Sequence, residues 1–250
     1  MGPYARYPSL AGRGVLVTGG ATGIGAALVQ AFHDQGARVG FIDRDLGAGR
    51  ALADRLAGVW FRNIDVRDAD ALAGALETAQ AAVGPIRVLV NNVADDTRHA
   101  ALETDAAAWR ERLAVNLDPT FLAARAVQPG MAGAGGGSII NLASINALLG
   151  PANMAAYVAA KAAILGLTKA LAREWGAAGV RVNAISPGWV VTERQLALWL
   201  TPEAEAEWAK QTALPGRILP DDVARLALFL AADDSAMITG QNHVIDAGRT

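Results

Sequence analysis

Seven short apolar runs, separated by longer Ala- and Leu-rich segments, constrain this chain more than any other feature. The runs are Val15–Thr18, Arg38–Asp43, Val59–Asp65, Val88–Asn92, Ser138–Ser144, Arg181–Pro187 and His243–Ala247. Most are rich in Val and Ile with little polar alternation, the pattern of strands covered on both faces. Ile24–Gln35, Leu46–Leu56, Asp68–Val83, Trp109–Met131, Met154–Ala178 and Asp221–Ala232 are long enough for helices, and Pro129-Gly130 is expected to end the fourth early. Such alternation predicts an α/β fold, a doubly wound parallel sheet with helices on both faces. The 250 residues suit a single domain over 1–250 with one sizeable core. Ala132–Gly137 is too short for a linker and reads as a loop, and no repeat of fixed period is present. Val190–Pro215 breaks the alternation. It carries Trp199 and Trp208 and reads as a helical insertion over about 190–215, near the carboxyl edge of the sheet where such folds bind ligands.

Thr18-Gly19-Gly20-Ala21-Thr22-Gly23-Ile24-Gly25 follows the first strand directly and opens the first helix. Glycines let a backbone turn tightly and approach a pyrophosphate, while the helix N-terminus offers free N–H groups and a positive dipole end. A Gly-rich turn alone is weak evidence, but here an acidic residue, Asp43, ends the next strand. It lies 18 residues after Gly25, close to the spacing of about 20 expected of a carboxylate on an adenosine ribose. Asp43 also reads as an ordinary turn or N-cap residue, and the two roles are compatible.

Tyr157 and Lys161 stand at i and i+4 on a predicted helix, hence on one face. An ammonium beside a phenol favours the phenolate, so Lys161 is expected to lower the Tyr157 pKa toward the range of neutral proton transfer. Ser144 ends the fifth predicted strand, where its hydroxyl can hydrogen-bond a substrate oxygen. A Tyr/Lys pair by itself is more often a solvated helix face, and the Gly-rich turn with Asp43 upstream shifts that balance.

Composition narrows the classes. Hydrophobic residues make up 52% and charged residues 18%, which argues against disorder. The net charge of −2 and the lack of a Lys/Arg run leave nothing to drive nucleic-acid or anionic-membrane binding. With Cys absent, disulfides and thiolate metal sites are excluded, and His33, His99 and His243 are too scattered for ligand spacing, so no metal is expected. Met1–Pro8 is not a signal peptide and Gly2 is a poor myristoylation candidate. No uninterrupted apolar stretch of about 18 residues is present, and a cytoplasmic location is expected. His33 reads as structural, while His99 follows a strand end and can line a pocket. Asp95, Asp96, Arg98, Asn146 and Gln195 lie near predicted carboxyl-edge loops, and Trp189 and Trp199 fall where a pocket is covered. This polarity suits a polyhydroxyl ligand, although each residue singly reads equally well as solvated loop.

These motifs together resemble the short-chain dehydrogenase/reductase family over nearly the whole chain. Thr18-Gly-x-x-x-Gly-Ile-Gly25 is similar to its cofactor fingerprint, and Ser144, twelve intervening residues and Tyr157-x-x-x-Lys161 to its catalytic spacing. Asn116 matches a fourth catalytic residue. Pro187-Gly188 with Thr192 matches the nicotinamide segment, and Asn63-x-Asp65-Val66 the adenine contact. The resemblance implies a single-domain Rossmann-like sheet of seven strands in order 3-2-1-4-5-6-7, a homotetramer, and catalysis by Asn116, Ser144, Tyr157 and Lys161. It also implies a nicotinamide cofactor held by Gly19, Thr22, Gly23, Ile24, Asp43, Arg44, Asp65, Val66, Asn92, Tyr157, Lys161, Pro187, Gly188, Val190 and Thr192. In that scheme Tyr157 exchanges the proton, Lys161 also holds the nicotinamide ribose, Ser144 orients the substrate oxygen and Asn116 helps hold a relay water. NAD is expected over NADP because Asp43 would oppose a 2′-phosphate, with Arg44 as the counterweight. The family's Asn-Asn-Ala-Gly stands here as Asn91-Asn92-Val93-Ala94, a methyl added near the cofactor.

A narrower resemblance, to bacterial aldose 1-dehydrogenases of the D-xylose type, rests on several segments. They are Tyr7-Pro-Ser-Leu10, Asn91-Asn-x-x-x-Asp96-x-Arg98-His99, Pro187–Pro202 with Thr192-x-Arg194-Gln195, Gly216-Arg217-Ile218 and Ile245-Asp-Ala-Gly248. It implies oxidation of C1 of a cyclic aldose to the lactone, with Asp96, Arg98, Ser144, Asn146, Tyr157, Trp189 and Gln195 around the sugar. The alternatives are a ketone reductase of the 3-oxoacyl or keto-polyol type, and a cofactor-binding sensor without catalysis, against which the intact Ser144, Asn116, Tyr157 and Lys161 set argues.

Overall fold

The computed structural model describes residues 5–250; Met1–Tyr4, the start of the segment read above as no signal peptide, lie outside the described residues. All seven expected strands form: β1 Gly14–Thr18, β2 Arg38–Asp43, β3 Trp60–Asn63, β4 Ile86–Asn91, β5 Gly137–Leu142, β6 Val180–Pro187 and β7 Asn242–Ile245. They make one sheet in the order β3-β2-β1-β4-β5-β6-β7, with every pairing parallel. The helices are α1 Gly23–Asp34, α2 Leu46–Arg55, α3 Ala69–Val83, α4 Ala106–Asn116, α5 Asp118–Gly133, α6 Asn146–Leu149, α7 Ala155–Trp175, α8 Glu193–Leu198, α9 Pro202–Lys210 and α10 Pro220–Ala231.

Side chains alternate across the sheet, so apolar strands feed two cores. Val15 and Val17 of β1 join α1 and α10 on one face, while Leu16 between them joins α3 and α5 on the other. All five β1 residues are buried. This is why the strands read as continuous apolar runs rather than as alternating ones. β1 pairs with β2 on one side and β4 on the other, so the chain reverses its winding there, and the carboxyl ends of β1 and β4 diverge around a crevice.

Two expectations are corrected. The segment Trp109–Met131 is two helices, broken at Leu117 (φ −127°, ψ −55°). Pro129 does not end the second of them. It is exposed, and α5 continues to Gly133, where the Ala134 N–H bonds to the carbonyls of Gly130 and Met131. A proline removes only its own donor, and so near a helix end it costs one bond of a ladder that closes beyond it. α7 is long and apolar enough by composition to cross a membrane. Here it is a core helix packed on β6 and α4, with Tyr157 and Lys161 buried along it.

Candidate active site

The crevice at the β1/β4 divergence opens into a cavity of about 850 Å³. Its floor at one end is the Gly-rich turn. Gly19 has φ 66°, a left-handed conformation, and a Cβ built on Gly25 would lie 1.8 Å from the Gly19 carbonyl oxygen. The turn therefore closes on itself only with glycine at these places. Thr22, the N-cap of α1, makes no side-chain cap bond and the first turn holds no acidic residue, so among the described residues no side chain caps the N–H groups there. Such a cradle, formed by uncapped amides at a helix start, fits a pyrophosphate.

Asp43 lies at the next strand end and lines the cavity with Arg44. Its Oδ2 accepts from the Ala21 N–H at 2.9 Å and its Oδ1 from the Asp45 N–H at 2.9 Å. The carboxylate thus ties the Gly-rich turn to the β2–α2 turn at the cavity wall, the turn role expected of Asp43. Asp65 and Val66 follow β3 along the same wall; a side-chain hydrogen bond from Arg67 holds the Asp65 carboxyl below its usual range. Asn92 closes the floor, its Nδ2 donating to the carbonyls of Thr18 at 3.2 Å and Gly19 at 2.8 Å.

Across the cavity lie Ser144, Tyr157 and Lys161. β5 ends at Leu142, two residues before the expected end, but Ala143 N–H still reaches the Ile185 carbonyl at 2.8 Å and Ile145 N–H that of Pro187 at 3.1 Å. That irregular continuation carries Ser144 to the cavity, where it hydrogen-bonds Tyr157 and accepts from Asn146 N–H at 3.1 Å. Lys161 is 1% exposed, and its Nζ donates to the Leu142 carbonyl at 2.6 Å, 5.7 Å from the Tyr157 ring centroid.

The electrostatics correct the expectation for this pair. Burial pushes the Tyr157 phenol up to about 12; Asp96 adds to this, while the Ser144 hydrogen bond and Arg98 oppose it. Burial likewise pushes Lys161 down to about 8. The Lys161 ammonium donates to a backbone carbonyl and is itself desolvated, and burial is the largest influence on the phenol.

Gly19, Ile24, Pro187, Gly188, Val190 and Thr192 line this cavity, as do Asp96, Arg98, Asn146, Trp189 and Gln195, whereas Asn63 and Trp199 do not, Asn63 Nδ2 donating instead to the Asp43 carbonyl at 2.9 Å. Nor does Asn116 line it. It is 1% exposed, its Oδ1 accepts from the Asp95 N–H at 2.9 Å, and its Nδ2 donates to the carbonyls of Asp95 at 3.2 Å and Arg112 at 3.0 Å. Its side chain pins the loop after β4 to the break between α4 and α5. His99 is also outside: its Nε2 accepts from the Ala156 N–H at 3.1 Å and its Nδ1 lies 3.1 Å from the Thr97 carbonyl, so it organises the start of α7. Trp199 sits under Arg98, 4.9 Å from its guanidinium carbon. Among the described residues no cluster of three or more His, Asp or Glu side chains could hold a metal.

A polar chain crosses the end of the cavity lined by α8. Trp189 Nε1 donates to Gln195 Oε1 at 2.7 Å, Gln195 Nε2 donates to Asp96 Oδ2 at 2.8 Å, and Arg194 lies 3.4 Å from Asp96 Oδ1. α8 is thereby fastened to the loop after β4. Trp208, within the insertion expected at this edge, also lines the cavity, and so does Arg249, to which no motif in the sequence pointed.

A family model described as enoyl-(acyl carrier protein) reductase matches residues 19–250. The chain is 46% identical over 251 residues to a probable galactose dehydrogenase of Rhizobium meliloti (strain 1021), covering 98% of each chain. It is 44% identical over 248 residues to a D-xylose 1-dehydrogenase of Caulobacter vibrioides (strain NA1000 / CB15N), again covering 98% of each. Among solved structures, a 7α-hydroxysteroid dehydrogenase complexed with NADH and 7-oxo glycochenodeoxycholic acid superposes with a TM-score of 0.90 at 26% identity, over 96% of both chains.

Proposed function

Because this chain belongs to the short-chain dehydrogenase/reductase family, we propose that it is an NAD-dependent dehydrogenase oxidising C1 of a cyclic aldose to the lactone. The observation that carries the reading is one cavity joining the Gly-rich turn, the Ser144–Tyr157 pair and a wall of hydrogen-bonding groups, Asp96, Gln195 and Trp189. The names of the two sugar-dehydrogenase relatives support the substrate class. Asp43 supports NAD, since its carboxylate can accept from ribose hydroxyls and would repel a 2′-phosphate.

In this reading the uncapped amides of α1 and Thr22 hold the pyrophosphate, and Asp43 holds the adenosine ribose. Asp65 and Val66 lie against the adenine, and Pro187, Gly188, Val190 and Thr192 against the nicotinamide. A bound nicotinamide supplies the hydride acceptor and, when oxidised, a positive charge that favours the phenolate. Ser144 Oγ orients the anomeric hydroxyl, and Tyr157 Oη takes its proton as the C–H bond breaks. Lys161 positions the ribose and, through Leu142, the end of β5. Asn116 acts by position, holding the Asp95–Asp96 segment. α8 and α9, between β6 and β7, cover the sugar. Exposed Trp109 on α4 and Phe121 on α5 support the homotetramer implied by the family.

The rival reading is a reductase of 3-oxoacyl or keto-polyol groups. The charged wall disfavours an acyl chain, which would strip water from Asp96 and Arg98 while offering neither a hydrogen bond. Purified protein with NAD should oxidise aldopentoses or aldohexoses and release a lactone or its acid. Activity on a β-ketoacyl ester with none on any aldose or polyol would refute the reading.

A further inference from the structure

Within the cavity lining, Arg249 is a cation that no carboxylate answers among the described residues. It is half-buried, and its contact is the face of Trp208, with the guanidinium carbon 4.4 Å from the ring centroid. The other guanidinium groups of this wall are engaged: Arg194 with Asp95 and Asp96, and Arg98 with Trp199 and the Met154 sulfur.

The position of Arg249 is built. The carboxylate of Asp246, 5% exposed, accepts from the N–H groups of Gly248 at 2.9 Å and Thr250 at 2.8 Å and from the Thr250 hydroxyl at 2.9 Å. Ala247 is left-handed, φ 60°, and its carbonyl accepts from Ala213 at 2.8 Å and Leu214 at 3.0 Å, the segment that follows α9. Asp246–Thr250 is thus folded under the α9 exit, aiming Arg249 at the cavity. Trp208, 8% exposed, meets Trp189 edge to face at 5.9 Å, and Trp189 continues through Gln195 to Asp96. The wall therefore runs from Asp96 to Arg249, with two indole rings between.

A guanidinium stacked on an indole keeps its planar N–H edge free and has already lost much of its rotational freedom. That edge matches two adjacent oxygen acceptors. We propose that Arg249 binds the end of the substrate remote from the oxidised carbon, donating to a pair of neighbouring oxygens, either vicinal hydroxyls or a terminal carboxylate. The proposal rests on the sugar-dehydrogenase reading and adds a residue that selects for substrate length.

The test uses the full chain with saturating NAD and steady-state kinetics over an aldotetrose, an aldohexose and the matching hexuronate. Arg249→Met keeps an apolar cover on Trp208 and removes the donors; Arg249→Lys keeps the charge and removes the fork. Loss of a charged hydrogen-bonding partner is expected to raise KM for the six-carbon substrates about 10–100-fold in Arg249→Met. KM for the aldotetrose and for NAD should stay within about twofold. A greater loss on the aldohexose assigns the vicinal hydroxyls. A greater loss on the hexuronate, partly restored in Arg249→Lys, assigns the carboxylate. KM unchanged across the series, or raised equally for short and long substrates, overturns the proposal and leaves Arg249 as a cover for Trp208. Wild type inert toward every aldose and polyol overturns the sugar reading and this proposal with it, whereas an active wild type with an unaltered Arg249→Met overturns this proposal alone.

Discussion

Replacing Asp43 separates two roles that its carboxylate combines. The structural role is visible: one oxygen holds Ala21 N–H and the other Asp45 N–H, both at 2.9 Å. Asp43→Ala removes both acceptors. At a half-exposed sheet edge each bond is worth about 1 kcal/mol, since water replaces the lost partner in part, so the variant should lose about 2 kcal/mol. For a chain of this size that is a fall in Tm of about 4–8 °C. Asp43→Asn keeps one acceptor and should lose about half as much. The cofactor role is electrostatic. Two unit charges about 5 Å apart in a water-like dielectric repel by roughly 0.8 kcal/mol, so a dianionic 2′-phosphate facing Asp43 is disfavoured by about 1.7 kcal/mol. Lost bonds to the ribose hydroxyls add about 1 kcal/mol or more. Together these favour NAD by roughly a hundredfold. The assay is kcat/KM for each cofactor from the near-ultraviolet absorbance of the reduced form, in wild type, Asp43→Asn and Asp43→Ala. Both variants should lose most of the NAD preference, because both lose the charge, while only Asp43→Ala shows the full thermal loss. A wild type that prefers NADP, or variants that melt lower with an unchanged cofactor ratio, would refute the reasoning and leave Asp43 as a turn clamp, with Arg44 as the residue that selects.

Tyr157→Phe removes the phenol that Ser144 hydrogen-bonds and should cut turnover about 10²–10⁴-fold with NAD affinity nearly intact, as measured by initial rates and cofactor titration; near-normal turnover sinks the assignment. Gly25→Ala places a Cβ 1.8 Å from the Gly19 carbonyl oxygen, so the turn must open. NAD affinity by calorimetry should fall at least about tenfold. Lys161 yields a pH dependence. With its folded pKa pushed down to about 8 from 10.5, the unfolded chain binds a proton that the cofactor-free folded protein does not between those values. Stability to urea should therefore rise with pH across that window, and Lys161→Met should flatten the rise. Tyr157, pushed up to about 12, acts with the opposite sign above pH 10, where stability should fall.

The sheet was legible because each strand is buried on both faces, which writes a contiguous Val- and Ile-rich run into the sequence, and because parallel connections leave room for a helix between runs. The Gly-rich turn was equally legible, since the positive φ of Gly19 and the close approach at Gly25 both demand glycine locally. Asp43, Tyr157 and Lys161 were legible as residues at the ends or on the faces of predicted elements.

What tertiary structure decided are properties that depend on partners far along the chain. The helix break at Leu117 accompanies Asn116 reaching back to Asp95, a contact no local window contains. The Tyr157 pKa moves up rather than down because burial among residues from several elements is the largest influence on it. His99 faces α7 rather than the cavity because Ala156 offers its N–H there. Arg249 reaches the cavity only because Asp246, Ala247 and Ala213 fold its segment under α9. Local sequence determines where elements lie and which backbone conformations they need, through sterics and periodicity. Which side chains share a cavity, and how strongly each is desolvated there, is set by packing between segments remote in sequence.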